Sequence, residues 1–200
     1  MLKLICHFLT EYIGANNKSL TKNDLLKIYY SLQVILGDLS KFIIIFLIFL
    51  YLNQLPLFLL SFVILNSTRP LIGGLHCKTF MSCLIFSIIY FLMIVLFSTI
   101  CPKLNNYFYI IFFIIAFILI LKYSPCLNKK RPIKNKKILK ILSLISLTFW
   151  CTLFFILRNV QICNCIFLSV LIQIIELIII NLKGGVYNAK IHKLFFSFID

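Results

Sequence analysis

Acidic residues are almost missing from this chain. Of its 200 residues only five are Asp or Glu, against 20 Lys and Arg, for a formal charge of +15. The five are Glu11, Asp24, Asp38, Glu176 and Asp200, so no acidic third member of a catalytic triad stands out. Histidine is nearly as scarce, with three residues; His7 and His192 lie in terminal amphipathic segments without polar company. The pair Cys163-Asn164-Cys165 lacks the second ligand pair that a structural metal site needs. No metal and no cofactor are expected. Aromatic residues do not interleave with the basic ones, so no nucleic-acid partner is expected. Residues 1–14 do not read as a signal peptide, because Glu11 and polar residues interrupt the apolar run. The apolar segments show no internal repeat, which weighs against a repeat-built transporter.

What is abundant is apolar surface. Hydrophobic residues make up 62% of the chain, 21 of them Phe, and the mean hydropathy is +1.06. Soluble domains carry about 45–50% apolar residues, and a small water-soluble core cannot hide this excess. The sequence therefore predicts an all-α, polytopic integral membrane protein whose principal partner is the lipid bilayer. The cations cluster at the ends of apolar runs, as topology signals beside anionic headgroups do. The eight cysteines lie mostly in or beside apolar segments, where cysteine behaves as a small hydrophobe.

Taken in order, the chain reads as one membrane domain. Residues 1–38 form amphipathic interfacial helices, the second opened by a capping-box pattern, Thr21-Lys22-Asn23-Asp24, and running to about Gly37. Residues 39–66 form a short helical hairpin of two arms, Phe42 to Leu52 and Leu57 to Leu65. Each has about a dozen residues, near 18 Å, so spanning and re-entrant geometries both stay open. Residues 66–78 interrupt the apolar pattern. Four convincing spans follow within 79–182, and a basic tail closes the chain at 183–200. That makes about six hydrophobic segments. The densest basic loop, 122–137, belongs in the cytoplasm by the positive-inside rule. Counting segments outward from it puts residues 66–78 and both termini on the cytoplasmic side.

Most residues able to do chemistry sit in one stretch, Arg69 to Cys83. A thiolate is a strong nucleophile, and a nearby imidazole can take its proton. His76 and Cys83 are seven residues apart. On an unbroken helix that is about 10.5 Å along the axis, far beyond the hydrogen-bond reach that proton transfer needs. Cooperation therefore requires a break, which Pro70 and Gly73-Gly74 supply. His76 is expected in a loop or broken helix end, and Cys83 in the first turns of the next helix. Cys77 is the rival nucleophile, though adjacent side chains diverge. Glu176 lies inside a spanning run with Gln173 one turn away on the same face. The pair could orient a catalytic group, bind substrate, or hydrogen-bond another helix; the last is favoured.

The segment Gly73-Gly74-Leu75-His76-Cys77-Lys78-Thr79 resembles the Gly-Gly-x-His-x-Lys-Thr segment of the accessory gene regulator B family of membrane peptidases. In that family the nucleophilic cysteine follows at the same seven-residue offset, here Cys83, and Arg69 matches a basic residue before the site. The loop from Tyr123-Ser124-Pro125 to Asn128-Lys129-Lys130-Arg131-Pro132-Ile133 resembles the family's Pro and Asn-Lys-Pro-Ile loop, with two further basic residues interposed.

The resemblance implies a cysteine endopeptidase, a thiol protease of the cell membrane, acting in quorum sensing on an amphipathic pro-peptide of the AgrD type. Cys83 would attack the scissile carbonyl, His76 would activate it, and the C-terminal piece would leave. The thioester would then pass to an internal Cys or Ser of the peptide, giving a cyclic thiolactone or lactone. Arg69, Gly73, Gly74, Lys78 and Glu176 are the candidate supporting residues, and Lys129, Lys130 and Arg131 could attract acidic residues of the pro-peptide. The sequence leaves the oligomeric state open, a homodimer included. The alternative is a small non-enzymatic transporter or binding component using Glu176, Gln173 and Arg158 as polar pathway residues.

Overall fold

The computed structural model describes residues 2–17, 19–74, 79–125 and 135–185. Among these residues every regular element is a helix: α1 (Leu2–Asn16), α2 (Lys22–Tyr51), α3 (Leu55–Ile72), α4 (Phe80–Ile100), α5 (Asn106–Tyr123), α6 (Lys136–Ile156) and α7 (Val160–Gly185). Helices α2 to α7 are each long and apolar enough to cross a membrane. The protein is thus an all-α, polytopic membrane protein. The chain divides into two compact units, Met1–Asn53 and Gln54–Asp200.

In the first unit α1 packs on α2. The capping box read from sequence is present. Thr21 accepts from the Asp24 amide, and the Asp24 carboxylate accepts from the Thr21 amide at 3.3 Å. The expected boundary near Gly37 is absent, because α2 runs unbroken from Lys22 to Tyr51. Its polar middle closes on itself: Ser40 Oγ donates to the Leu36 carbonyl at 2.7 Å, and Lys41 pairs with Asp38 at 2.6 Å. With those groups satisfied inside the helix, nothing forces a break. The amphipathic helix and the first hairpin arm are one element.

The second arm is also longer than expected. Pro56 sits in the first turn of α3, where a missing N–H costs no hydrogen bond. The polar residues 66–69 then continue the helix rather than interrupt it. Ser67 Oγ and Thr68 Oγ1 each donate to the Ile64 carbonyl at 2.8 Å. Trp150 of α6 also donates its Nε1–H to Ser67 Oγ at 2.9 Å. With those hydroxyls satisfied the helix runs on through Pro70, which does not supply the expected break, and ends at Ile72 with Gly73 as its cap.

In the second unit α7 packs against α3, α4, α5 and α6. Half of its spanning segment is buried, compared with 22% in α4, α5 and α6. Lipid is as apolar as a leucine side chain, so close packing and interhelical hydrogen bonds must hold such a bundle. Tyr109, Phe154 and Phe167 supply the packing, with ring centroids 4.6 and 5.1 Å from Tyr109. The same tyrosine accepts from the Leu104 amide at 3.1 Å and donates to Asn164 Oδ1 at 3.3 Å; Asn164 Nδ2 donates to the Cys101 carbonyl at 2.7 Å. This network ties the α4–α5 turn to α7. Isoleucines such as Ile85, Ile89, Ile114, Ile118, Ile141 and Ile145 face outward, as lipid-contacting residues must.

Candidate active site

The site begins where α3 stops. Gly73 has φ 110° and ψ 161°, a region that only glycine enters without strain. Its amide donates to the Arg69 carbonyl at 2.9 Å, closing the last turn. Its carbonyl accepts from Gln173 Nε2 of α7 at 2.7 Å. The residue after it is glycine for a different reason. A Cβ on Gly74 would run into Arg69, with Nε and Cγ in the way, the latter at 2.7 Å.

Arg69 thus lies against the glycine turn, and its Nη2 reaches Glu176 Oε2 at 3.6 Å. The carboxylate side of that pair is 4% exposed and the guanidinium side 35%. Gln173 and Glu176, one turn apart, therefore hold α3's end from one face of α7: the amide grips the turn and the carboxylate grips the arginine. The sequence-favoured role for the pair, a hydrogen bond to another helix, is what the geometry displays. An ionised residue in a membrane span is costly, and here it has a guanidinium beside it.

Helix α4 starts only six residues later. Thr79 is extended (φ −111°, ψ 152°) and caps it, accepting from the Ser82 amide. Its hydroxyl lies 2.8 Å from that of Ser82. Cys83 falls in the first turn, its amide donating to the Thr79 carbonyl at 3.1 Å. Gly73 and Thr79 are both non-helical, so α3 and α4 are not one straight helix, which is the condition for residues on either side to meet. His76, Cys77 and Lys78 lie outside the described residues, as do Lys129, Lys130 and Arg131 of the basic loop. Of the candidate residues, the structure brings Arg69, Gly73, Gly74 and Glu176 together, and sets Cys83 at the head of the next helix.

The other described cysteines sit elsewhere. Cys163 donates to the Leu157 carbonyl at 3.2 Å, while Cys165 faces the Leu57 carbonyl at 3.5 Å, so the two thiols of the Cys-Asn-Cys fragment address different neighbours. Cys6 is buried and Cys101 is exposed at the far end of α4. Among the described residues no group of three His, Cys, Asp or Glu could hold a metal.

One residue escaped the sequence reading. Tyr90 of α4 is 8% exposed, its hydroxyl has no hydrogen-bond partner among the described residues, and it lies within electrostatic range of Glu176 and Arg69. The available signal was its register: it follows Cys83 by seven residues, which puts both on one helix face.

The family model for accessory gene regulator B matches residues 6–177 of this chain. The chain belongs to the accessory gene regulator B (AgrB) family. A protein of Clostridium beijerinckii described as a putative AgrB-like protein is 55% identical over 197 residues, covering 98% of both chains. The accessory gene regulator protein B of Staphylococcus intermedius is 29% identical over 130 residues, covering 64% of this chain and 69% of that one. The protein of the same description from Staphylococcus carnosus (strain TM300) is 34% identical over 116 residues, covering 55% and 57% respectively. No solved structure matches the chain. The AgrB match covers α3, α4 and α7 as far as Leu177, and hence Arg69, the glycine turn, Cys83 and Glu176.

Proposed function

We propose that the protein is a membrane cysteine endopeptidase that removes the C-terminal part of an amphipathic AgrD-type pro-peptide and helps close the remainder into a cyclic thiolactone or lactone. The observation that carries this reading is the placement of Cys83 in the first turn of α4, just past a glycine turn gripped by Gln173 and bordered by the Arg69–Glu176 pair. The first turn of a helix favours negative charge, and thiolate is the sulfur form that attacks a carbonyl.

In the proposed sequence His76 takes the proton of Cys83, and the sulfur adds to the scissile carbonyl carbon. The C–N bond breaks, the departing amine takes the proton back from His76, and the peptide stays on Cys83 as a thioester. An internal thiol or hydroxyl of the peptide then displaces Cys83. Exchange of one thioester for another is nearly balanced, so the enzyme's main task is to keep water away, and a site within an apolar bundle suits that task. Lys78 and the Lys129–Arg131 cluster would draw acidic residues of the pro-peptide. The site would face the cytoplasm from the cell membrane.

The transporter alternative loses ground to the same geometry. Two of its three pathway residues, Gln173 and Glu176, are engaged by Gly73 and Arg69.

Co-expression with the pro-peptide encoded in the neighbouring reading frame, followed by mass analysis of that peptide, tests the reading. Cys83→Ala should abolish cleavage, and His76→Ala should cut it to below about one thousandth, as loss of a member of a catalytic unit does. Cleavage lost in Cys77→Ala and kept in Cys83→Ala would move the nucleophile to Cys77.

A further inference from the structure

We propose that Tyr90 donates its phenolic hydrogen to the carbonyl oxygen of the scissile bond as that oxygen becomes an oxyanion. The inference rests on Cys83 as the nucleophile and adds a residue that the family motif does not contain. Its starting point is an unmet hydrogen bond. The hydroxyl of Tyr90 is buried and has no partner among the described residues. Leaving a buried donor unsatisfied costs about 1–3 kcal/mol, and phenylalanine would fill the same space without that cost. A hydroxyl kept at such a place calls for a partner that arrives later.

Three observations indicate what that partner is. First, Tyr90 and Cys83 share a face of α4, with Tyr90 about 10.5 Å further along the axis. Helical side chains lean toward the helix N-terminus, and a tyrosine ring is long enough to cover much of that distance. Its ring lies near those of Phe91, with centroids 5.7 Å apart, and Phe86, one turn toward Cys83, at 6.4 Å. Second, Tyr90 is 8% exposed, so its hydroxyl faces the helix bundle and not the lipid, and the charges of Glu176 and Arg69 act on it there. Third, the group it offers is a donor. Gln173, which holds the glycine turn and is 1% exposed, offers only an acceptor at its unpartnered Oε1. A developing alkoxide needs donors, and of these two only Tyr90 can supply one.

The step balances without further reagents. The Cys83 thiolate forms the S–C bond and the carbonyl π pair moves to oxygen. The Tyr90 proton hydrogen-bonds that oxygen but stays on the phenol. When the tetrahedral adduct collapses, the oxygen pair returns, the C–N bond breaks and the amine leaves with the proton held by the base. A donor aimed at the oxyanion in a water-poor site is typically worth about 10²–10³ in rate.

The test compares two reactions of one sulfur in the full-length protein held in lipid nanodiscs. Acetylation by 4-nitrophenyl acetate passes through an oxyanion; alkylation by iodoacetamide displaces iodide from carbon and forms none. Both are read at Cys83 by peptide mass mapping, in wild type and Tyr90→Phe. Acetylation should fall about 100-fold or more while alkylation stays unchanged and thermal stability is equal or higher. Unchanged acetylation overturns the proposal. A parallel fall in both reactions also overturns it, because it would mean that Tyr90 sets the state or access of the sulfur. If wild-type Cys83 acetylates no faster than the exposed Cys101, the nucleophile assignment itself fails and Tyr90 falls with it. Normal acetylation of Cys83 that ignores Tyr90→Phe removes the oxyanion role alone.

Discussion

At the scale of single residues, two adjacent glycines do two different jobs. Gly73 supplies a backbone conformation near φ 110°, and Gly74 supplies an empty place beside Arg69. Gly73→Ala should cost about 1–3 kcal/mol of backbone strain. Gly74→Ala leaves the backbone conformation accessible and instead displaces Arg69 from Glu176. Pairing each with Arg69→Ala tells the two apart. A thermal-shift measurement should find Gly74→Ala and Arg69→Ala non-additive, since they break one contact, and Gly73→Ala additive with Arg69→Ala. Arg69→Ala itself leaves a carboxylate that is 4% exposed without its ion-pair partner. A loss of about 3 kcal/mol is expected, the lower end of the range for halving a buried pair, because the arginine side is partly exposed. Glu176→Gln, which keeps the shape and removes the charge, should cost less.

At the scale of elements, α7 is the frame on which the site hangs. Gln173→Leu keeps its packing volume but releases the Gly73 carbonyl. Peptide processing should fall by at least tenfold, with a loss of stability of about 1–3 kcal/mol for the unmet carbonyl, and Gln173→Glu, which keeps an acceptor but no amide donor there, should lose processing as well because the catalytic segment is misplaced. The Gln173–Glu176 spacing was legible in the sequence as a polar face one turn long, and so was its pairing with another helix. Which helix it meets was not, because register between membrane helices depends on packing that no periodicity encodes. The same limit explains α2 and α3. Polar residues such as Ser40, Ser67 and Thr68 look like interruptions in a string of letters, yet each hydroxyl is satisfied by a carbonyl one turn back, so the helix can continue through it. The cap at Thr21 and the turn at Gly73 were readable because both obey local rules. Tyr90 was not, since an unmet hydrogen bond exists only once the neighbours are in place.

At the scale of the molecule, α3 and α7 run parallel, with Leu57 beside Cys165 near their starts and Arg69 beside Glu176 near their ends. The glycine turn, Cys83 and the basic residues Lys122, Lys136, Lys137 and Lys140 belong to helix ends at one side of the bundle, whereas Cys101 belongs to the other. The proposed orientation sets the first side in the cytoplasm. A membrane-impermeant maleimide added to intact cells should label Cys101 and spare Cys83; labelling of Cys83 from outside would invert the topology. The most direct test of the peptidase itself is the intact mass of the protein isolated after co-expression with the neighbouring pro-peptide and acid quenching. The expected result is a thioester adduct on Cys83 equal in mass to the pro-peptide lacking its C-terminal part, absent in Cys83→Ala. Processed peptide formed by Cys83→Ala at the wild-type rate would contradict it.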